Sequence, residues 1–256
     1  MKLTKKFWLR LAAVPVIVLA LLWGALFVYT LDYSRPTEAA VAALIDTAEV
    51  DVEQDSNMLL FTPHDDKADI GFAFYPGGKV DYRAYAPLMA ELAGRGIACV
   101  LLKVPFQLAV FDINAADRAF HALPDITRWY VGGHSLGGAM ASSFASSNAD
   151  KLEGVIFLAA YPASDIKDSG LRVLSLYGSN DGVLNMDNYE SGKSQAPADA
   201  AYLVITGGNH AGFGSYGVQK GDNPALITRE EQVTRAADAI FLFMEGSDPA
   251  AAVSQS

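Results

Sequence analysis

The stretch that decides the fold reads Trp129-Tyr130-Val131-Gly132-Gly133-His134-Ser135-Leu136-Gly137-Gly138-Ala139-Met140. It contains the pattern Gly-x-Ser-x-Gly at a point where an apolar strand ends and a helix begins. A serine at such a junction has a strained backbone, and only glycines two residues before and after it leave room for the turn. The pattern predicts that Ser135 is exposed at the carboxyl edge of a sheet and at a helix N-terminus, which favours a developing anion. Taken alone, it also fits a purely structural glycine-rich turn.

Strands and helices alternate on both sides of this segment. A hairpin is predicted at residues 50–54 and 58–63, and further strands at 70–75, 97–104, 128–131, 155–161, 172–177 and 201–205. Several of these runs are apolar on both faces, which is typical of central parallel strands covered by helices on both sides. Helices are predicted at residues 82–93 and about 114–123, from Leu136 onward, and from a capping box at Thr228 to about Gly246. The sequence therefore predicts an α/β fold around a mostly parallel sheet.

Composition excludes several classes of protein. The 256 residues carry one Cys, four His and a net charge of −10, and this length suits a single α/β domain. A single Cys excludes an internal disulfide framework, a thiolate zinc site and an iron–sulfur cluster. The acidic balance argues against a nucleic-acid partner, which needs a basic face. The chain has neither a His-Glu-x-x-His motif nor a dinucleotide fingerprint, so we expect no metal and no cofactor.

The N-terminus has the pattern of a membrane anchor. Residues 1–10 carry four cations and no acid, and residues 11–31 carry no charge. A helix of that length spans about 30 Å, the thickness of a bilayer core. The cations predict a cytoplasmic segment at 1–10, a transmembrane anchor at 11–31 and an extracytoplasmic remainder, as in a single-pass protein of the cell membrane. A cleaved signal peptide and a buried core helix are the alternatives; the first prefers a shorter apolar region followed directly by a small-residue cleavage site.

The rest of the chain divides by composition. We predict a linker with a short amphipathic helix at 32–48, the α/β domain at 49–246 and a disordered tail at 247–256. Few residues separate the strand that ends near Tyr161 from the one that begins at Arg172. That leaves no room for an inserted segment, so no cap domain is expected there.

A serine nucleophile needs a base, and His210 is the predicted one. It follows the strand at 201–205 on a loop with glycines on both sides, which can carry the imidazole back over the sheet edge. His64 lies in a polar turn and His121 on a predicted helix, so both are expected to be structural or solvated. His134 neighbours the nucleophile, and its expected role is to pack or shape the turn.

The acid that orients the base is predicted to be Asp181. It lies in an Asp-Gly turn directly after the strand at 172–177, so it emerges at the same sheet edge as Ser135 and His210. Asp165, after the preceding strand, is the alternative. The order nucleophile, acid and base at successive strand ends favours a catalytic triad over three unrelated turns.

A tetrahedral intermediate also needs backbone N–H donors. One is expected from Leu136, the residue after the nucleophile. The other is expected from Gly78 or Lys79, in the glycine turn after the strand at 70–75. Farther along the chain, Phe213 and Tyr216 are candidates for the substrate pocket, with packing beneath the histidine loop as the alternative.

The chain resembles the α/β-hydrolase superfamily and, within it, the small capless bacterial hydrolases similar to dienelactone hydrolase. The resemblance covers about residues 58–244, where 133–137, Asp181 and His210 match the nucleophile, acid and base. Pro76 stands where relatives often have His. Dienelactone hydrolases use a cysteine nucleophile, whereas this chain has Ser135, so dienelactone substrates are not implied. The resemblance implies an α/β-hydrolase fold without a cap domain.

Together the residues and the resemblance lead to the expectation of a serine hydrolase. We expect a carboxylesterase that acts through an acyl-enzyme on a small-molecule or cell-envelope substrate, and that meets the membrane through its N-terminal helix. Amide or peptide hydrolysis, acyl transfer to a cell-envelope alcohol, and a non-catalytic binding module remain as alternatives.

Overall fold

The chain forms two compact units, Met1–Tyr33 and Ser34–Ser256. The computed structural model describes residues 5–64 and 68–253, with side chains from residue 13 onward. The first unit contains helix α1, Lys5–Leu31, of which Ala13–Leu31 is long and apolar enough to cross a membrane. Residues 1–4 of the predicted basic segment and 254–256 of the predicted tail lie outside the described residues.

The second unit is built on one eight-stranded sheet. The strands are β1 Val50–Gln54, β2 Met58–Pro63, β3 Ile70–Tyr75, β4 Ala98–Leu102, β5 Arg128–His134, β6 Gly154–Leu158, β7 Arg172–Gly178 and β8 Ala201–Ile205. Their order is β1-β2-β4-β3-β5-β6-β7-β8. β1 and β2 pair antiparallel and β2 pairs antiparallel with β4, whereas all other neighbours are parallel. The predicted strands are confirmed, β4 and β6 being shorter than expected.

The helices of this unit alternate with the strands. They are α2 Glu38–Ala42, α3 Ala86–Ala93, α4 Asp117–Ala122, α5 Leu136–Ser147, α6 Met186–Gly192, α7 Arg229–Met244 and α8 Ala250–Val253. The N-cap half of the predicted capping box is confirmed, since Thr228 Oγ1 accepts a hydrogen bond of 3.1 Å from the Glu231 N–H at the start of α7, whereas the Glu231 carboxylate accepts from Arg235 at 2.6 Å. Helix α6 was not predicted, because its sequence is polar and lacks an apolar stripe of helical period.

Two hydrophobic cores lie on opposite faces of the sheet. Phe72 and Phe74 of β3 face the core that includes α3 and α7. Ala73 and Tyr75 alternate with them and face the core that includes α4 and α5. This alternation is the period of two along a strand, and burial on both faces confirms the predicted layered α/β architecture.

The ends of the second unit are more ordered than expected. Ser34 pairs with Val80 in a parallel bridge, and the N–H of Thr37 donates to the Ser215 carbonyl at 2.8 Å. The predicted linker at 32–48 is therefore bound to the α/β unit from Ser34 onward, and only Glu38–Ala42 of it is helical. In the tail, helix α8 buries Ala252 against the first core, so disorder was the wrong prediction for residues 250–253.

Backbone strain collects at one edge of the sheet. Within the described residues, the non-glycine residues with positive φ are Lys79, Phe106, Gln107, Ser135 and Ala159. They lie in the connections that follow β3, β4, β5 and β6, all at the carboxyl edge. Because such conformations need support from their surroundings and cluster at functional sites, they mark this edge as the candidate functional site.

Candidate active site

Ser135 occupies the sharp turn between β5 and α5. Its φ and ψ of 52° and −122° are unusual for a residue with a side chain, and its N–H donates to the Leu158 carbonyl at the end of β6. The residue is half-buried. The turn thus holds Ser135 at the carboxyl edge of the sheet, as predicted from the Gly-x-Ser-x-Gly pattern.

The two glycines of the pattern are required by close packing. A Cβ at Gly133 would lie 2.5 Å from the Gly137 carbonyl carbon, and one at Gly137 would lie 2.3 Å from the Tyr75 oxygen. Any side chain at either position would force the helix away from the strand. Only glycine fits at these two positions because the turn brings three backbone segments together.

His210 and Asp181 form a buried pair at the same edge. Nδ1 of His210 lies 2.9 Å from Oδ2 of Asp181, and both side chains are 2% exposed. The other carboxylate oxygen of Asp181 accepts hydrogen bonds from the N–H groups of Val183 and Leu184, at 2.8 and 2.7 Å. The turn after β7 therefore orients the carboxylate, and the carboxylate in turn orients the imidazole.

The second nitrogen of His210 is available. Nε2 is buried and, within the described part of the chain, it has no hydrogen-bond partner. The structure therefore does not join it to the Ser135 hydroxyl by a hydrogen bond. The ring of His134, the residue before Ser135, lies 4.5 Å from the His210 ring between centroids, so the His210 loop packs against the end of β5.

Two residues that the sequence analysis missed hold the loop of the base. Asp222 Oδ1 accepts from the N–H groups of Gly182 and His210, at 3.0 and 3.3 Å, and Oδ2 accepts from Ala211 at 2.8 Å. It therefore connects the turn that carries Asp181 with the loop that carries His210. Its position before an Asn-Pro pair was the only hint in the sequence.

Gln232 is the other missed residue, and it holds the same loop from beneath. Its side chain is fully buried on α7. Oε1 accepts from the Asn209 N–H at 3.0 Å, and Nε2 donates to the Asn209 carbonyl at 2.7 Å. Because both backbone groups next to His210 are satisfied, the loop is fixed on its core side.

The predicted oxyanion donors are distinguished by their hydrogen bonds. The Lys79 N–H donates to the Gln107 carbonyl at 2.8 Å, so Lys79 is the wrong choice as a donor. For the Gly78 N–H no partner is found among the residues that the structure describes. A Cβ at Gly78 would lie 3.0 Å from Leu136 Cδ2. Leu136 begins α5, where a backbone N–H has no partner within the helix, so the N–H groups of Gly78 and Leu136 remain the two candidate donors.

The comparison with protein families fits this geometry. The model of the alpha/beta hydrolase family matches residues 71–234, a range that includes Ser135, Asp181, His210 and the glycine turn at Gly78. The chain belongs to the alpha/beta hydrolase family. No curated protein matches it in sequence.

Solved structures of other hydrolases share the fold. Est1E from Butyrivibrio proteoclasticus is 15% identical with a TM-score of 0.54, over 78% of this chain and 100% of that one. A predicted CIB-like hydrolase from Thermoplasma acidophilum is 15% identical with a TM-score of 0.55, over 75% of this chain and 99% of that one. At this identity the similarity shows the α/β-hydrolase fold alone. The resemblance to the superfamily is confirmed by the family match over residues 71–234.

Phe213 and Tyr216 do not wall an open pocket in this hydrolase. They are 1% and 6% exposed and belong to the core on the α3 and α7 side of the sheet. Their rings lie 5.9 and 6.4 Å from the ring of His134. The predicted role in substrate binding is therefore wrong, and the alternative of packing beneath the histidine loop is the one found, because that loop folds inward.

The remaining candidates lie outside the site. Asp165 is exposed, and its Oδ1 accepts from the Lys167 N–H in a local turn at 2.9 Å. His64 contacts Asp51 at the surface, and His121 on α4 contacts the backbone of its own helix. Across residues 5–64 and 68–253, no group of three or more His, Cys, Asp or Glu side chains is arranged to hold a metal ion.

Proposed function

We propose that this hydrolase is a membrane-anchored, extracytoplasmic carboxylesterase that uses Ser135 as nucleophile, His210 as base and Asp181 as orienting acid. The observation that carries the proposal is the buried His210–Asp181 pair with an unpartnered Nε2 at the sheet edge where Ser135 sits in a strained turn. Strain at the nucleophile and a pre-oriented imidazole are what nucleophilic catalysis needs.

The first half of the reaction forms an acyl-enzyme. The Ser135 oxygen attacks the carbonyl carbon of the ester while His210 Nε2 takes the hydroxyl proton, and Asp181 stabilises the resulting imidazolium. We expect the Ser135 hydroxyl to turn towards Nε2 when substrate binds, since catalytic hydrogen bonds often tighten only then. When the tetrahedral intermediate collapses, the C–O bond to the alcohol breaks and His210 gives its proton to the leaving oxygen.

The second half releases the acid. A water molecule attacks the acyl carbon and gives a proton to His210 Nε2, and the bond to the Ser135 oxygen breaks as that proton returns to it. In both halves the negative oxygen is proposed to lie between the N–H groups of Gly78 and Leu136. Each such donor contributes about 3 kcal/mol to lowering the barrier.

A fluorophosphonate probe tests the nucleophile. The wild-type chain is expected to be labelled, and Ser135→Ala is expected to lose labelling. Ser143→Ala is the matched control on the same helix; its hydroxyl is bonded to Ser164 at 3.0 Å, so labelling should persist. Labelling that survives in Ser135→Ala contradicts the serine mechanism. If the wild type and Ser143→Ala hydrolyse p-nitrophenyl acetate and Ser135→Ala does not, the chain is an esterase. Labelling without any ester turnover contradicts the proposed substrate.

The anchor is proposed from the sequence of the first unit. Four cations precede the apolar segment, and the part Ala13–Leu31 of helix α1 has the length and composition of a membrane span. The positive-inside rule then places residues 1–10 in the cytoplasm and the hydrolase unit outside. Protease added to intact cells, with the outer membrane opened where there is one, should digest the hydrolase unit; full protection would contradict the topology. Mass spectrometry of the protein from the membrane fraction should recover the apolar segment, which a protein whose signal peptide has been cleaved would lack.

A further inference from the structure

An exposed apolar surface lies beside the proposed oxyanion donors. It is formed by residues 105–111, here called the apolar platform, which fold as two short turns, Pro105–Gln107 and Ala109–Phe111, after β4. Val110 and Phe111 are 48% and 45% exposed. The rings of Phe106 and Phe111 meet edge to face with centroids 5.6 Å apart.

The platform is joined directly to the turn that carries Gly78. The Gln107 carbonyl accepts the Lys79 N–H at 2.8 Å. A Cβ at Gly78 would lie 3.7 Å from Leu108 Cδ2 on one side and 3.0 Å from Leu136 Cδ2 on the other. Leu108 therefore begins an apolar path that leads from the proposed oxyanion site out to Phe111.

The platform is attached to the second core although much of it faces solvent. Phe106 and Gln107 both have positive φ, at 56° and 54°, a costly conformation for residues with side chains. Ala109 is fully buried against the second core. Beyond the platform, the Tyr75 hydroxyl accepts from the Ala116 N–H at 3.0 Å. The burial of Ala109 therefore anchors the platform while its neighbours Val110 and Phe111 stay exposed.

The sheet order indicates which part of an ester meets the platform. β4 lies on one side of β5, whereas β7 and β8, which carry Asp181 and His210, lie on the other side. His210 must give a proton to the leaving alcohol, so the alcohol oxygen lies towards His210. The acyl chain is the remaining substituent of the reacting carbon, and the platform lies on the side away from the base.

We infer that the apolar platform binds the acyl chain of the substrate, and that the enzyme prefers esters of aliphatic acids longer than acetate. This inference rests on the proposed ester hydrolysis at Ser135. Val110 and Phe111 would lose contact with water when a chain covers them, which is the driving force for the preference.

The test is a series of p-nitrophenyl esters, from acetate through butyrate and hexanoate to octanoate, with the full chain in lipid nanodiscs. We expect kcat/KM to rise by about twofold to fourfold for each added methylene that is buried. In Phe111→Ser and in Val110→Ser the ratio of octanoate to acetate kcat/KM should fall by about fivefold or more. Ile45→Ser is the control, since Ile45 is 66% exposed on a different part of the unit and should leave the ratio unchanged.

The outcomes separate this inference from the proposed function. A ratio that does not change in either platform variant, or a flat series in a wild-type chain that a fluorophosphonate labels, overturns the inference alone. A further outcome is that Phe111→Ser changes the dependence of kcat/KM on alcohol chain length in a series of alkyl acetates and leaves its dependence on acyl chain length unchanged. In that outcome the platform holds the alcohol and the acyl assignment is wrong. A wild-type chain that neither reacts with the probe nor hydrolyses any ester removes the proposed function itself.

Discussion

The hydroxyl of Tyr85 lies 2.8 Å from Nδ1 of His134 in the interior beneath the proposed catalytic edge. The same hydroxyl accepts the Gly77 N–H at 3.1 Å, and His134 Nε2 lies 3.1 Å from the backbone carbonyl of His210. A buried chain of hydrogen bonds thus runs from the glycine turn before Gly78 to the loop of the proposed base.

The direction of each bond in this chain follows from its ends. The His210 carbonyl can only accept, so His134 Nε2 carries the proton and Nδ1 accepts from the Tyr85 hydroxyl. Burial lowers the pKa of His134 well below its usual range, and the neighbouring His210 lowers it further. Burial also raises the pKa of the Tyr85 hydroxyl. Both groups are therefore neutral, and each supplies the one proton that the chain needs.

Tyr85→Phe is predicted to impair turnover. It removes the donor to His134 and the acceptor of Gly77, so both loops lose a support, and misplacement of this kind lowers kcat by roughly tenfold or more. We expect kcat per fluorophosphonate-titrated site to fall while KM changes little. An unchanged kcat per titrated site in a folded variant would show that the chain is structural only.

Tyr130→Phe is the matched control for that variant. Tyr130 is equally buried, accepts from Arg172 at 2.8 Å and lies at the opposite end of β5 from Ser135. Removing its hydroxyl should destabilise the fold by about 1–3 kcal/mol, as for Tyr85→Phe. Tm should therefore fall in both variants, whereas kcat per titrated site should fall only in Tyr85→Phe.

His134 is predicted to make the stability depend on pH. Its pKa is lowered in the folded chain by burial, whereas in the unfolded chain it is close to 6.5. Below about pH 6.5 the unfolded state therefore binds more protons than the folded state, and stability falls as the pH falls.

The matched variant for this effect is His134→Gln, which keeps a donor for the His210 carbonyl. Tm measured between about pH 7.5 and pH 5 should fall less in His134→Gln than in the wild type. His121→Gln, at an exposed position on α4, controls for the loss of one imidazole. Equal slopes in all three chains would contradict a neutral buried His134.

Replacement of the proposed acid is predicted to be severe. Asp181→Asn places an amide against His210 Nδ1, which favours the wrong tautomer, and a loss in kcat on the order of 10⁴-fold is expected. Asp165→Asn is the control, because Asp165 is exposed and bonded only to its own turn. Comparable losses in the two variants would mean that Asp181 is not the orienting acid.

Asp222 is predicted to hold the acid and the base together. Asp222→Ala removes the acceptor for Gly182, His210 and Ala211, and we expect kcat/KM to fall by roughly tenfold or more. Hydrogen exchange at the backbone of residues 206–222 should become faster in this variant. Asp222→Asn retains one acceptor oxygen and should show a smaller effect on both measurements; slow exchange in Asp222→Ala would contradict this role.

Much of the molecule was predictable because its signals are local. Short apolar runs located all eight strands, and the Gly-x-Ser-x-Gly pattern predicted the turn at Ser135, since only glycine fits where backbones approach so closely. The chain order of Ser135, Asp181 and His210 placed them at one edge because parallel strands end on the same side. Helix α6 was not predicted because it lacks an apolar stripe of helical period.

The sequence by itself determined which candidate site residues follow which strands along the chain. It also determined that the N-terminal segment is long and apolar enough to span a membrane. Only the tertiary structure distinguished Gly78 from Lys79 as the candidate oxyanion donor and showed that Phe213 and Tyr216 lie in the core. It alone also showed that Tyr85 and Asp222 contact the loops they support. Those outcomes depend on hydrogen bonds and packing between segments far apart in the chain, such as the bond from Lys79 to Gln107. Local patterns do not reveal such partners, because whether a backbone N–H is already hydrogen-bonded depends on which distant segments pack against it in the folded chain.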